Sequence, residues 1–476
     1  MLILALETST SNAKALLYDD KLGVIDRKAQ AYGKEIYANG KALTDKVFEL
    51  VLKLGREIAS GKDVKAITLC GTWHSIGVFD DKIRPIMPMY SWEFLEAGKT
   101  AKEIRKDKEL TYTLYSKTGC MPHVTYPRQH LYHIKKEGYD LKNRYFLSQG
   151  AYNFYRLTDI LAESVSTVAG SGLLNIHNLE YDDYVMEMLG TKKEQFAPLV
   201  NYKNIGYLND FGAKALGLQK GIIVVPAHPD GAMNQLASGA NSKGKMTLSI
   251  GTSGAIRFTN DSPFIPDDHQ LWCYYGADNY ISGAATVGCC NCINWFFDEL
   301  YKGQYTYEDL EDENDVMGDV PVFLPFIFGE RCPGWNDERR DGFVDLKESH
   351  TPRDKYRAVQ SGIIFNLYQC YESLSKNLFE ASDIYVSGGV LNSSQWTQML
   401  ADIFNKEIKC EKVIDASSFG TIVLGMVNLG IYPTLKDYVK SEDSVRLVKP
   451  NKDRVEYYKK EYERYLYWYQ ETRKKD

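Results

Sequence analysis

Residues 1–19, MLILALETSTSNAKALLYD, and residues 246–258, MTLSIGTSGAIRF, share one pattern: an apolar run, a short tip rich in Gly, Ser and Thr, and a second apolar run. Each predicts a β-hairpin, because β-type residues on both sides of a short Gly/Ser/Thr turn mark paired strands. The tips bring hydroxyls and backbone N–H groups to one edge, a setting suited to phosphate oxygens. One pattern near the N-terminus and another just past the middle predict two related domains, each offering a phosphate-binding loop to a shared cleft.

The chain is 476 residues long, beyond the roughly 250–300 residues at which single cores stop growing. Two domains are expected, 1–242 and 243–476, with NSKGK at 241–245 as a polar, Gly-containing hinge. A formal charge of -6 gives no broad basic field, which disfavours nucleic acid as a partner and favours small substrates. No apolar stretch reaches bilayer length and the start lacks a signal-peptide pattern, so no membrane role and a cytoplasmic location are expected. Nine cysteines without a leader predict reduced thiols. Cys289 and Cys292 have CxxC spacing but no second ligand pair, so packing is the expected role.

Further along, Val47, Leu50, Val51 and Leu54 have helical spacing, and VKAITLCG reads as a buried strand. Tyr90–Tyr139 reads as irregular and aromatic-rich, and YNFYRLTDILAE as helical. Gly221–Pro226 reads as a strand leading to His228-Pro229-Asp230-Gly231. In the second half a strand at Ile384–Val386 enters Ser387-Gly388-Gly389, and Trp396, Met399, Leu400 and Ile403 mark a helix that Asn392 or Ser393 caps. Tyr458, Tyr462, Tyr465 and Tyr469 recur on one face of a docking helix over Arg454–Lys475.

Phosphoryl transfer requires phosphates and Mg²⁺ held still, an aligned hydroxyl and a destination for its proton. The tips Thr10-Ser11-Asn12 and Gly251-Thr252-Ser253 are candidates for gripping ATP phosphates, with Lys14 adding charge; singly, each tip is only a turn. Asp230 precedes the helical stretch GAMNQLASGA and is either an N-cap, a proton acceptor, or both. Gly388 and Gly389 allow a flat base close to the backbone, or simply make a turn. His74 in GTWHS is a candidate sugar contact or a satisfied buried histidine. Trp73, Tyr90, Trp92 and Tyr126 offer stacking faces or core packing.

With these pieces assembled, the chain resembles the FGGY carbohydrate kinases, most of all their gluconate kinase branch. The resemblance rests on the N-terminal hairpin, GTWHSIGVFD, TGCMPHVTYP, AGSGLL, AHPDGAMNQLASGA, SIGTSGAIR, LPFIFGERCPGW and VSGGVLNSSQWTQMLADIF, in the family's order. It implies an α/β fold of two actin-like, ribonuclease-H-type domains closing on MgATP and a sugar or sugar acid. Asp230 would then be the base and, with Glu7, a metal contact. Thr10, Ser11, Asn12, Lys14, Gly251, Thr252 and Ser253 would meet phosphates, and Gly388, Gly389 and Asn392 the adenosine. His74, Trp73, Glu93, Arg128 and Asp230 would meet the substrate. By residue type alone, Arg128 and Arg331 are candidate cations for a substrate carboxylate, or equally surface or structural salt bridges. Three places depart from the family pattern: Glu7 and Ser9 stand where Asp and Gly are usual, Tyr90-Ser91-Trp92-Glu93-Phe94 replaces a Trp-x-Asp-x-Arg motif, and Val287-Gly288-Cys289-Cys290 replaces an Asn- and Gly-rich loop. D-gluconate is the expected acceptor. A kinase for xylulose, another ketose or another sugar acid is the alternative, followed by a non-catalytic sugar or nucleotide sensor. The sequence is silent on oligomeric state and leaves a homodimer open.

Overall fold

The computed structural model describes residues 1–312, 317–410, 415–441 and 445–474. Its first sheet begins with β1 (Leu2–Thr8), β2 (Asn12–Asp19) and β3 (Gly23–Ala31), an antiparallel meander. Strand β4 (Val64–Gly71) then pairs parallel with β1, and β5 (Ile223–Pro229) parallel with β4. A two-residue edge strand, Gly206–Tyr207, completes the order edge-β5-β4-β1-β2-β3. Parallel neighbours require a crossover, and helix α1 (Thr44–Ala59) supplies the one between β3 and β4.

The second sheet repeats this plan. Strands β6 (Lys245–Ile250), β7 (Gly254–Asn260), β8 (Trp272–Tyr275), β9 (Tyr280–Thr286), β10 (Asp383–Gly388), β11 (Ile408–Cys410) and β12 (Arg446–Val448) lie in the order β8-β9-β7-β6-β10-β11-β12. Within it, β9, β7 and β6 are antiparallel neighbours, and β10 and β11 continue in parallel from β6. Two sheets with the same three antiparallel and two parallel strands form the predicted pair of ribonuclease-H-like α/β domains.

Alternation along β1 explains how the first sheet is covered on both faces. Leu4 and Leu6 pack with Val47, Phe48, Val51 and Leu54 of α1, as the helical spacing predicts. Ile3 and Ala5 face the other way, onto Ile422 and Met426. Those two residues belong to a helix of the second half, α6 (Ala416–Asn428). Reciprocally, helix α2 (Asp230–Ala237), which follows β5, reaches the second sheet. Gln235 Nε2 donates to Thr259 Oγ1 at 3.1 Å on β7, and Thr247 of β6 donates to Gln235 Oε1. The two helices cross closely: a Cβ on Gly420 would lie 2.2 Å from the Met233 carbonyl oxygen. Each sheet thus packs against a helix of the other unit, which places the ends of β1, β4, β5 and β6 around one cleft.

Several local readings change. Tyr90–Tyr139 contains three helices, Gly98–Lys106, Lys108–Thr118 and Pro127–Lys136, whose buried faces are short and interrupted, so periodicity missed them. The helix expected in YNFYRLTDILAE is α3 only in part: it spans Gln149–Thr158 and stops because Asp159 adopts φ 62°. Asp230 is the first helical residue and not an N-cap; the cap position is Pro229, with no side-chain bond.

Helix α4 (Pro352–Asn377) crosses back to β10, and α5 (Ser394–Phe404) follows it. Ser393, not Asn392, caps α5, its Oγ accepting from Trp396 N at 3.0 Å. Ser393→Ala is expected to cost about 1 kcal/mol, read as a lower urea midpoint with unchanged slope. Tyr458, Tyr462, Tyr465 and Tyr469 are buried on α7 (Lys452–Arg473), as expected; Lys475 lies outside the described residues. Tyr469 Oη donates to Glu330 at 2.6 Å, and Glu330 pairs with Arg339 at 2.9 Å, so GERC anchors this helix.

Candidate active site

A cavity of about 240 Å³ opens between the two units. Thr10, Trp92, Trp73, His74, Thr125, Asp230, Ser253, Arg257 and Arg331 are among its walls. The β1–β2 and β6–β7 tips enter it together, since Thr10 and Ser253 both line it. Register explains the match. The β1 and β6 strands both end at the cleft, and antiparallel pairing returns the chain after tips of three residues each, Ser9–Ser11 and Gly251–Ser253.

The first tip is braced from within. Ser9 Oγ donates to Asn12 at 2.7 Å (Oδ1) and 2.8 Å (carbonyl), so serine closes the turn where glycine is usual in the pattern above. Asn12 Oδ1 is thereby engaged, while Ser11 is exposed and Thr10 accepts from Trp92 Nε1 at 2.9 Å. In the second tip Gly251 N donates to Ser253 O at 3.0 Å, and Thr252 and Ser253 are exposed.

Glu7 and Lys14 sit opposite each other in the β1–β2 register, and Lys14 Nζ meets Glu7 Oε1 at 3.0 Å. The other carboxylate oxygen accepts from Ser417 at 2.8 Å and Ser418 at 2.5 Å, at the start of α6. A buried acid here has all the partners burial demands, including the positive end of a helix. Lys14 therefore neutralises Glu7 and is not held free for phosphate.

Asp230 enters the cavity from the end of β5. Its Oδ1 accepts from Gly231 N at 2.7 Å. Burial and the charge of Glu7 raise its pKa above the ordinary 3.8, while the Gly231 N–H and Arg257 pull the other way. His74 Nδ1 lies 2.6 Å from the Gly170 carbonyl oxygen. A carbonyl only accepts, so Nδ1 carries the proton and Nε2 is an acceptor. Burial, and then the charge of Arg331, push the His74 pKa well below 6.5, so the ring is neutral at pH 7. Trp73 lines the same wall with its Nε1 donating to Ser166 O at 2.9 Å.

Gly388 and Gly389 lie beside the second tip, since Ile250 pairs with Gly388 across β6 and β10. Gly388 has φ 98°, and a Cβ there would lie 2.3 Å from the Ile250 carbonyl oxygen. Only glycine fits that backbone. Asn392, free of capping, is exposed nearby.

Arg128, Glu93, Tyr90 and Tyr126 lie away from the cavity walls. Arg128 is fully buried, its guanidinium donating to the Cys120 carbonyl at 3.1 Å and Thr118 Oγ1 at 3.3 Å, and it does not line the cavity. It holds loop carbonyls together. Glu93 accepts from Tyr37 Oη at 2.5 Å and is likewise absent from the cavity walls; its neighbour Trp92 faces in instead. Tyr90 and Tyr126 are core residues, Tyr126 Oη sharing a hydrogen bond of 2.8 Å with Tyr274. Arg257 is a further cavity residue, whose signal in the sequence is a lone Arg in the apolar strand GAIRF. No group of three or more His, Cys, Asp or Glu able to hold a metal occurs among the described residues, and the cysteines are free.

Paired sheets of one topology, each presenting a hydroxyl-bearing tip to a cavity with one carboxylate, define a two-domain phosphotransferase of the sugar kinase fold. Residues 2–237 match the N-terminal domain, and residues 246–429 the C-terminal domain, of the FGGY family of carbohydrate kinases, and the chain belongs to that family. It is 26% identical over 453 residues to a gluconokinase of Bacillus licheniformis, covering 90% of this chain and 88% of that one. A xylulose kinase of Staphylococcus epidermidis is 24% identical over 488 residues, covering 99% and 97%. The crystal structure of gluconate kinase from Lactobacillus acidophilus superposes with a TM-score of 0.90 at 25% identity, covering 98% of this chain and 96% of that one. The chain is a carbohydrate kinase, and the family implies ATP as a substrate. No described helix is long and apolar enough to cross a membrane.

Proposed function

We propose that this kinase transfers the γ-phosphoryl group of ATP to the terminal hydroxyl of D-gluconate, giving 6-phospho-D-gluconate and ADP. The observation that carries the reading is the convergence of Thr10, Ser253, Asp230 and His74 on one cavity between the two units. In this reading Thr10, Ser11, Gly251, Thr252 and Ser253 hold phosphates, and Gly388, Gly389 and Asn392 border the adenosine. His74 Nε2 accepts a hydrogen bond from a sugar hydroxyl. Asp230 takes the proton of the attacking hydroxyl as its oxygen approaches phosphorus. Closure of residues 1–242 on 243–476 about the 241–245 segment excludes water, which otherwise competes as acceptor. ATP as donor suits a cytoplasmic enzyme.

The residues present fit Mg²⁺ carried in on the phosphates, because that ion keeps several waters and takes one or two carboxylates beside phosphate oxygens. Asp230 is the carboxylate open to the cavity; Glu7 is committed to Lys14 and two serines. Bound there, Mg²⁺ supplies neutralisation of phosphate charge.

D-gluconate rests on the gluconokinase likenesses and on the cationic cavity wall. A ketose such as D-xylulose is the second reading, supported by the xylulose kinase that matches over 99% of this chain. ADP release from MgATP across D-gluconate, D-xylulose, L-ribulose and glycerol separates them: gluconate should stimulate most, and a ketose that exceeds it would overturn the acceptor.

A pH profile tests the role of Asp230. An ionised base is required, so kcat/KM falls as pH drops through the raised pKa of Asp230. Glu7 contributes to that elevation, so Glu7→Gln is expected to move the acid limb to lower pH. An unmoved limb, or one shifted upward, would assign it to another group.

A further inference from the structure

We propose that Arg331 is the receptor for a substrate carboxylate, making this site selective for sugar acids over neutral sugars. The inference rests on the sugar kinase reading above and deepens it.

Arg331 lines the cavity, and its Nε is buried with no hydrogen-bond partner. Its remaining contacts are neutral. Nη2 lies 3.3 Å from Tyr274 Oη, and the guanidinium carbon is 5.8 Å from the Tyr126 ring centroid. Neither supplies a negative charge. The adjacent Glu330 is spent elsewhere: it pairs with Arg339 at 2.9 Å and accepts from Gly334 N at 2.9 Å and Tyr469 Oη at 2.6 Å. Among the described residues no carboxylate forms an ion pair with Arg331. Arg331 is only half-buried, with its Nε covered, and its guanidinium keeps its charge there with no protein carboxylate paired to it. The cavity wall therefore carries a fixed positive charge that no described carboxylate neutralises.

The other cation of the cavity has a different place. Arg257 Nε lies 3.5 Å from the position a Cβ on Gly231 would take, which sets it beside Asp230, and its Nη1 lies 3.3 Å from Ser249 Oγ. Arg257 faces the end where a hydroxyl would react, and Asp230 offsets its charge. Arg331 packs instead on Tyr126 and Tyr274, next to the His74 ring, which lies 5.9 Å from Tyr274. An anion at Arg331 and a hydroxyl at Asp230 are then the two ends of one open-chain ligand, with His74 Nε2 accepting from a hydroxyl between them. A carboxylate matches the guanidinium fork with two parallel N–H···O bonds, here from the two Nη groups. A neutral ketose leaves the guanidinium charge without an anion in a closed site, and such sites reject analogues lacking the group they were built to bond.

D-gluconamide replaces the carboxylate by a neutral group of the same shape and keeps every hydroxyl. ADP release from MgATP with D-gluconate and D-gluconamide is measured for the wild-type protein and Arg331→Gln, together with calorimetric binding of each compound without ATP. The expected wild-type kcat/KM favours the acid by about 100-fold or more, and Arg331→Gln removes most of that ratio by lowering the acid alone, with the amide changed less than about threefold. Equal wild-type rates and equal wild-type binding for acid and amide overturn the proposal without any variant being needed. If neither compound, nor any ketose, stimulates ADP release, the kinase reading fails separately. Calorimetry still decides the carboxylate site: about tenfold tighter binding of the acid, lost in Arg331→Gln, upholds it, and equal affinities overturn it.

Discussion

Asp230→Asn is expected to lower acceptor-dependent turnover by about three orders of magnitude while leaving the KM for ATP within about threefold. The side chain keeps its shape, so the Oδ1 contact with Gly231 N at 2.7 Å survives. What disappears is the acceptor for the hydroxyl proton. In a phosphoryl transfer that asks little covalent help from the protein, positioning remains intact and the proton has no destination. The residual rate should lose the acid limb attributed to Asp230. Steady-state ADP release over a pH range measures both; a variant with near-normal turnover and the same acid limb would remove Asp230 from the reaction.

Gly420→Ala is expected to destabilise the fold by about 2 kcal/mol, because two effects oppose each other and one is larger. Alanine improves an α-helix over glycine by about 1 kcal/mol. Here, however, the added Cβ meets the Met233 oxygen at 2.2 Å, its carbonyl carbon at 2.7 Å and its Cα at 2.8 Å. These are backbone atoms that no rotamer change can move, and overpacking of this kind costs about 1–3 kcal/mol or more. Separating α2 from α6 also displaces Asp230 at the start of α2 and Ser417 and Ser418 at the start of α6, so activity should fall with stability. Urea unfolding reports the first effect and ADP release the second. Gly98→Ala is the control: its Cβ would meet nothing within 4 Å, and stability should be kept or raised. Equal behaviour of the two variants would show that the helix crossing tolerates a methyl group.

The hairpins were legible because strand, turn and strand are local and the tips repeat: apolar runs around ETSTS and GTSG need no distant partner to be read. Helix α1 was legible for the same reason, its buried stripe having one unbroken period. The helices within Tyr90–Tyr139 were not. Their stability comes from packing on neighbouring segments, and the apolar positions in Gly98–Lys106 are only Ala101 and Ile104. The exchange of α2 and α6 between sheets was likewise invisible, since GAMNQLASGA carries no sign of which sheet it will cover.

Among site residues, Asp230, His74, Thr10 and Ser253 were placed in the cleft by motifs that bind chain position to strand ends. Arg128 is a candidate by residue type and Glu93 by its place in a diverged motif, and neither says where a side chain points: one bridges buried loop carbonyls and the other bonds Tyr37. Lys14 reads as added charge for phosphate because it stands next to a hydroxyl-rich tip, which does not show that Glu7 pairs with it across the strands. Register puts the two face to face, and the serines of α6, more than 400 residues away in sequence, complete the arrangement.

The central claim is transfer of a phosphoryl group from ATP to the terminal hydroxyl of D-gluconate, and ³¹P NMR of the completed reaction tests it most directly. The account predicts a phosphate monoester signal coupled to the two C6 protons of gluconate, formed in step with ADP and absent with Asp230→Asn. Inorganic phosphate as the only new signal, or an ester formed with D-xylulose and not with D-gluconate, would contradict it.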